Sequence, residues 1–175
     1  MKKLLAAIAF CIALVGLAPG SASAAYCGIT WGSLPKAVNS TPTSPQITNI
    51  RTGRHDCYDR MVVDLNGTPA GYSVRYVNNV YAEGTGNVVP LAGGAKIEIV
   101  LQNPTYDENG QLTYTPLPGG GLPGVNLAGY QTFRDAKFAG SFEGQTTVGL
   151  GVRARLPFRA FYLGNRVVID VAHFW

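Results

Sequence analysis

Charge is scarce in this chain: Asp, Glu, Lys and Arg together make up 14% of its 175 residues. Basic residues outnumber acidic ones by four, and two of them, Lys2 and Lys3, open the chain, so after residue 24 there are 12 basic against 10 acidic groups, or +2. That balance, with no Lys/Arg cluster interleaved with aromatics, excludes a basic nucleic-acid surface. Histidine is limited to His55 and His173. With neither His-Glu-x-x-His nor Cys-x-x-Cys, no zinc set can be assembled, and no metal or cofactor is expected. The strained serine elbow of many hydrolases is missing too, since Gly140-Ser141-Phe142-Glu143-Gly144 carries its serine one position early. The apolar run Leu4–Leu17 is shorter than the roughly 18 residues that a membrane span requires. Sustained helical periodicity is absent throughout.

The chain does have an export signature. Lys2-Lys3, the run to Leu17 and the small-x-small triplet Ala22-Ser23-Ala24 read as a signal peptide over residues 1–24, with the mature chain starting at Ala25. Cleavage removes Cys11 and leaves Cys27 and Cys57 as an even pair in an oxidising setting, where a disulfide is expected. It would constrain the unfolded chain by roughly 3 to 4 kcal/mol in the loop-entropy account. One reactive thiol left unpaired is the alternative.

Turn residues are plentiful, with 22 Gly and 11 Pro. Ala37–Gln46 reads as a Ser/Thr/Pro linker, dividing an N-terminal segment, 25–46, from a domain over 47–175. Short runs rich in Val, Ile, Tyr and Phe predict strands at Ile47–Thr52, Arg60–Leu65, Tyr72–Val77, Lys96–Leu101, Tyr130–Arg134, Ala136–Phe142, Thr146–Arg153, Phe158–Leu163 and Arg166–Ala172. Many short strands with close turn signals describe an all-β antiparallel sandwich or barrel. Arg60-Met61-Val62-Val63-Asp64-Leu65 is echoed by Arg166-Val167-Val168-Ile169-Asp170-Val171. Side chains alternate along a strand, so each copy turns Arg and Asp outward and three aliphatic residues inward. The echo suggests pseudo-symmetric halves, one copy in each sheet. Its charges read as structural salt bridges, with ligand contact as the alternative.

Three groups are candidates for binding. The span Arg51–Gly67 crowds together His, Cys, Asp and Arg; His55 and Asp56, as neighbours on an extended chain, point to opposite faces and make a poor general-base pair. Arg54, His55 and Asp56 serve either a turn into the next strand or a ligand. The carboxylates Asp56, Asp59 and Glu98 have no spacing that selects a glycosidase pair. The second group is Tyr106 and Tyr114, on the long connection 102–127, whose rings would stack on sugar or on a partner protein if the connection is a mobile arm. The third is Arg153 and Arg155, predicted to share a strand face near Arg159 and to meet an anionic polymer or simply water.

The segments "ITNIRTGRHDCYDRMVVDL", "GYSVRYV", "GSFEGQTTVGLGVRARLPFRAFYL" and "RVVIDVAH" resemble the AMIN-like domain of exported actinobacterial proteins. They are also remotely similar to the AMIN domain that targets cell-wall amidases to the envelope. The resemblance implies a two-sheet β-sandwich that binds rather than catalyses. No amidase segment follows before Trp175, so a free-standing module is expected, secreted or held at the envelope. Its expected partner is cell-wall polysaccharide or peptidoglycan. An envelope or secreted protein is the alternative partner, and a small hydrolase with unassigned carboxylates a second alternative.

Overall fold

The computed structural model describes residues 25–41 and 45–175. The expected signal peptide and part of the expected linker lie outside them. Among the described residues thirteen strands follow in order: β1 (Ala25–Tyr26), β2 (Ile29–Thr30), β3 (Lys36–Val38), β4 (Ile47–Arg54), β5 (Tyr58–Leu65), β6 (Tyr72–Val77), β7 (Val80–Tyr81), β8 (Val88–Val89), β9 (Ala95–Leu101), β10 (Phe133–Phe142), β11 (Gln145–Val152), β12 (Phe158–Tyr162) and β13 (Arg166–Ala172). One 3₁₀ turn, Pro118–Gly120, interrupts the connection between β9 and β10. Among the described residues no helix is long and apolar enough to cross a membrane.

The strands form two antiparallel sheets, a five-stranded one ordered β10-β11-β9-β6-β3 and a four-stranded one ordered β12-β13-β5-β4, with two small ribbons, β1-β2 and β7-β8. The sheets pack as a sandwich. Met61, Val63 and Leu65 on β5 and Val167, Ile169 and Val171 on β13 meet Ile97, Ile99 and Leu101 on β9 and Val148, Leu150 and Val152 on β11, all buried. Each such side chain withdraws apolar surface worth roughly 1.5 to 3 kcal/mol. A one-residue slip would turn every one of them to solvent, so the aliphatic rows set the register.

Four expectations are corrected. The echoed strands β5 and β13 are not counterparts in two sheets; they are hydrogen-bonded neighbours in one, with Arg166 opposite Asp64 and Asp170 opposite Arg60. The expected strands Tyr130–Arg134 and Ala136–Phe142 are replaced by the single strand β10, whose register shifts after Phe133 and Phe138 let one strand bend where two were expected. The expected linker begins inside a strand, for β3 pairs with β6 at the edge of the five-stranded sheet. Just before it Gly32 bridges to Phe158 of β12, so the N-terminal segment spans an edge of each sheet. The disulfide between Cys27 and Cys57 is formed and ties this segment to the start of β5.

The fourth correction concerns 102–127. Tyr114 and Leu122 of this connection are buried in the core. The Pro104 carbonyl accepts from the Ile47 amide at 2.8 Å and the Thr113 hydroxyl donates to the Ile47 carbonyl at 2.8 Å. The connection closes one end of the sandwich instead of forming an arm, because two large apolar side chains gain more in the core than in water.

Candidate functional site

The outer face of the four-stranded sheet concentrates the charge that the chain otherwise lacks. Because β5 and β13 run antiparallel in register, each arginine of the echo meets the aspartate of the other copy across the strands rather than its own four residues away. Arg60 grips Asp170 with both Nε, at 2.6 Å, and Nη2, at 2.8 Å, and Arg159 of β12 donates to the same carboxylate at 2.8 Å. Asp170 is fully buried by these two guanidiniums and the sheet. At the other end of the face Asp64 accepts from Arg51 at 2.8 Å and from Arg166 at 2.9 Å. Burial pushes the Asp64 carboxyl up, but the hydrogen bonds and charges of Arg51 and Arg166 outweigh it and hold the group below its ordinary value of 3.8. The same hydrogen bond raises Arg51, and that to Asp170 raises Arg60.

Aromatic rings line one side of this charge ladder. The Arg159 guanidinium stands 4.8 Å from the Phe161 ring centre and 5.4 Å from those of Trp31 and Tyr58, and Arg60 stands 5.1 Å from Tyr58. His55 stacks on Tyr58 at 4.5 Å. Trp31 is brought here by the N-terminal segment that the disulfide anchors. Guanidiniums held between a carboxylate and aromatic faces are preorganised, since little rotamer freedom remains to be lost on binding.

Between the two charge clusters lies a depression of about 270 Å³, with Arg51, Arg60, Arg166 and His55 around Val62 and Val168. The face has four arginines for two aspartates. Arg166 engages Asp64 through Nε, and with 44% of its side chain exposed it presents its remaining donors to solvent. Such a surface can grip an anionic oxygen with guanidinium forks while an apolar or ring surface rests on valine and histidine.

The sequence candidates scatter. Arg54, His55 and Asp56 line a neighbouring depression of about 310 Å³ with Asp59, Gly129, Gln131 and His173, and His55 belongs to both depressions. Behind it, Asp59 is fully buried and accepts from the Thr132 and Phe133 amides at 2.6 and 2.9 Å. His173 sits 3.1 Å from the other Asp59 oxygen and 3.2 Å from the Asp56 carbonyl. This pair clamps the segment before β10 to β5 and the chain end.

Tyr114 is buried, so its ring is not available to stack on a ligand, and the half-buried Tyr106 accepts the Gly144 amide through its hydroxyl at 3.1 Å. Arg153 and Arg155 share no strand face, because β11 ends at Val152. Arg153 donates to the His173 carbonyl at 2.6 Å, while Arg155 lies 4.9 Å from the Tyr76 ring centre. Arg51 is not singled out as a ligand group by sequence, Arg159 is read only beside Arg153 and Arg155, and Arg166 enters through the echo, with ligand contact as the alternative to a salt bridge. The echo was the available signal, and only the strand pairing shows that its arginines converge with two from elsewhere.

Among the described residues no group of three or more His, Cys, Asp and Glu side chains can hold a metal ion. The family model of the AMIN-like domain matches residues 45–173. No curated protein and no solved structure matches the chain.

Proposed function

The chain belongs to the AMIN-like domain family, and from that premise we propose that it is an exported, envelope-associated module that holds cell-wall glycan or peptidoglycan on the outer face of its four-stranded sheet. Membership points to a cell-wall-related, non-catalytic module, and the intramolecular disulfide fits a compartment outside the cytoplasm. The observation that carries the reading is the excess of guanidinium over carboxylate on this face, Arg51, Arg60, Arg159 and Arg166 against Asp64 and Asp170, with Arg51, Arg60 and Arg166 around an apolar floor. Wall polymers combine sugar rings with acidic groups, and this face offers a partner for each. The signal peptide over 1–24 and the domain start near residue 47 belong to the same proposal.

Sedimentation with purified, protein-free walls tests it. The changes Arg51→Ala with Arg166→Ala, and separately His55→Ala, are expected to lower retention several-fold, and added salt to lower it further, since exposed charge is screened within about 10 Å at 0.1 M. Retention equal to the parent in both variants, with the melting temperature preserved, rejects the face. Retention only on walls that keep their proteins would replace the glycan by a protein partner.

A further inference from the structure

The β10 and β11 part of the outer face of the five-stranded sheet is covered by the lobe 78–94, and where that lobe leaves β6 and returns to β9 it opens a cleft of about 770 Å³. Arg75 and Glu98 face each other across β6 and β9, and Val77 faces Lys96. Asn78, Asn79, Tyr81 and the Gly93-Gly94 backbone belong to the lobe side, and Arg155 comes from the turn after β11. The lobe can lie this close only because residues 93 and 94 have no side chain. A Cβ on Gly93 would lie 2.5 Å from the Val152 carbonyl oxygen, and one on Gly94 would strike the Arg153 carbonyl.

The cleft holds three cations and one carboxylate. Glu98 is taken by Arg75 at 2.6 Å. Lys96 donates only to neutral oxygens, the Asn78 carbonyl at 3.1 Å and Asn79 Oδ1 at 3.3 Å. The Arg155 guanidinium stands over Tyr76, whose hydroxyl donates to the Leu156 carbonyl at 2.6 Å and accepts the Leu156 amide at 2.9 Å. A ring fastened to both backbone groups of the next residue, Leu156, keeps Arg155 at the cleft. Among the described residues neither Lys96 nor Arg155 forms an ion pair with a carboxylate. Two uncompensated cations in a concave polar site focus a positive potential that an anion can satisfy.

We infer that this cleft is a second binding site, for a strand of acidic polymer whose phosphodiester or carboxylate oxygens sit between Lys96 and Arg155. Arginine supplies the planar fork and lysine the point charge, a combination suited to tetrahedral and planar oxyanions alike. Tyr81, half exposed beside the cations, offers a ring face to the polyol or sugar between charges. The site shares no residue with the arginine face and does not rest on the function proposed for it.

The test uses ¹⁵N-labelled protein in which Arg51 and Arg166 are already alanine, so that the fate of the first face does not affect the reading. Poly(glycerol phosphate), polygalacturonate and neutral dextran are titrated at low salt. At least one acidic polymer is expected to shift the amides of 75–81 and 93–98, and dextran none. Shifts with the first polymer alone assign phosphodiester, and with the second alone carboxylate. Adding Arg155→Ala and Lys96→Gln is expected to weaken the binding at least tenfold. Lys96→Gln alone, at a half-buried position and with the melting temperature checked against the parent, is expected to weaken it several-fold. No shift in these segments with either acidic polymer overturns the site, as do equal shifts with dextran or unchanged affinity in the lysine variant.

Discussion

The outer faces of the two sheets received opposite treatment. On the four-stranded sheet, long side chains stand on β4, β5, β12 and β13, and their charges are paired across strands, which leaves a structured surface open to water. On the five-stranded sheet, β11 contributes glycine at 149 and 151, β10 contributes Gly140, and the lobe 78–94 lies on the bare backbone. A Cβ on Gly149 would come within 2.7 Å of Leu91 and one on Gly140 within 2.6 Å of Glu83, while one on Gly151 would strike the Ala92 carbonyl. Val80, Leu91 and Ala139 form a small second core beneath the lobe. Whether a sheet face displays groups or accepts a covering segment is thus decided by side-chain volume on that face. Each solution also leaves a different kind of recess, an arginine-rimmed depression on one side and a cleft at the lobe's margin on the other.

The comparison breaks most sharply at Asp170. Asp170→Ala leaves Arg60 and Arg159 without their buried counter-charge and is expected to cost roughly 3 to 5 kcal/mol, measured by urea unfolding. A loss below about 1 kcal/mol would mean that the ladder is an ordinary surface network. Gly151→Val pushes the lobe off the other face at a cost of roughly 1 to 3 kcal/mol. Hydrogen exchange in that variant should quicken over 78–94 and stay unchanged over β5 and β13. Uniform acceleration would show that the lobe is not a separable cover.

Two titrations sharpen the contrast further. The carboxyl of Asp64 is held below 3.8 in the folded protein, so its contribution to stability is present above that pH and is lost as pH falls through it toward the folded value. Asp64→Asn should therefore flatten the acid side of the stability curve; a variant as acid-sensitive as the parent would disprove the pairing.

The smallest effect is expected at Tyr114, whose buried hydroxyl has no hydrogen-bond partner among the described residues. Burial pushes this hydroxyl up to about 12, so its contribution is intact below the ordinary value of 10.0 and declines as pH rises from there to about 12. Tyr114→Phe should be neutral or stabilising by up to about 1 kcal/mol at pH 7 and should lack that alkaline decline. A destabilised phenylalanine variant would show that the hydroxyl is bound after all.

How much could be read from the chain differs from residue to residue. Period-two alternation placed Met61, Val63, Leu65, Val167, Ile169 and Val171 correctly in the core, because a strand has only two faces and the apolar one must be buried. The disulfide was legible because Cys27 and Cys57 are the two cysteines outside the expected signal peptide, and two admit one pairing. The three-residue β3 escaped notice, since so short an edge strand carries no periodic signal. Tyr114 looked like part of a mobile arm for want of any local mark that its ring is in the core. The long-range partners of the arginines were hidden for the same reason, with Arg60 and Asp170 separated by 110 residues.

By itself the sequence determined the all-β class, the inward rows and the cysteine staple, because alternation, turn residues and cysteine number act locally or by simple count. It also determined which residues are small enough to be approached, since glycine is written in the chain whatever it later faces. Only the tertiary structure decided that β5 and β13 lie side by side, so that two repeated Arg-Asp motifs exchange partners and recruit Arg51 and Arg159. Only it decided that Arg155 lines one cleft with Lys96 instead of sharing a strand face with Arg153. The reason is physical: pairing between strands and between charges depends on which distant segments are brought within about 3 to 5 Å, and that is set by how the two apolar faces close on one another.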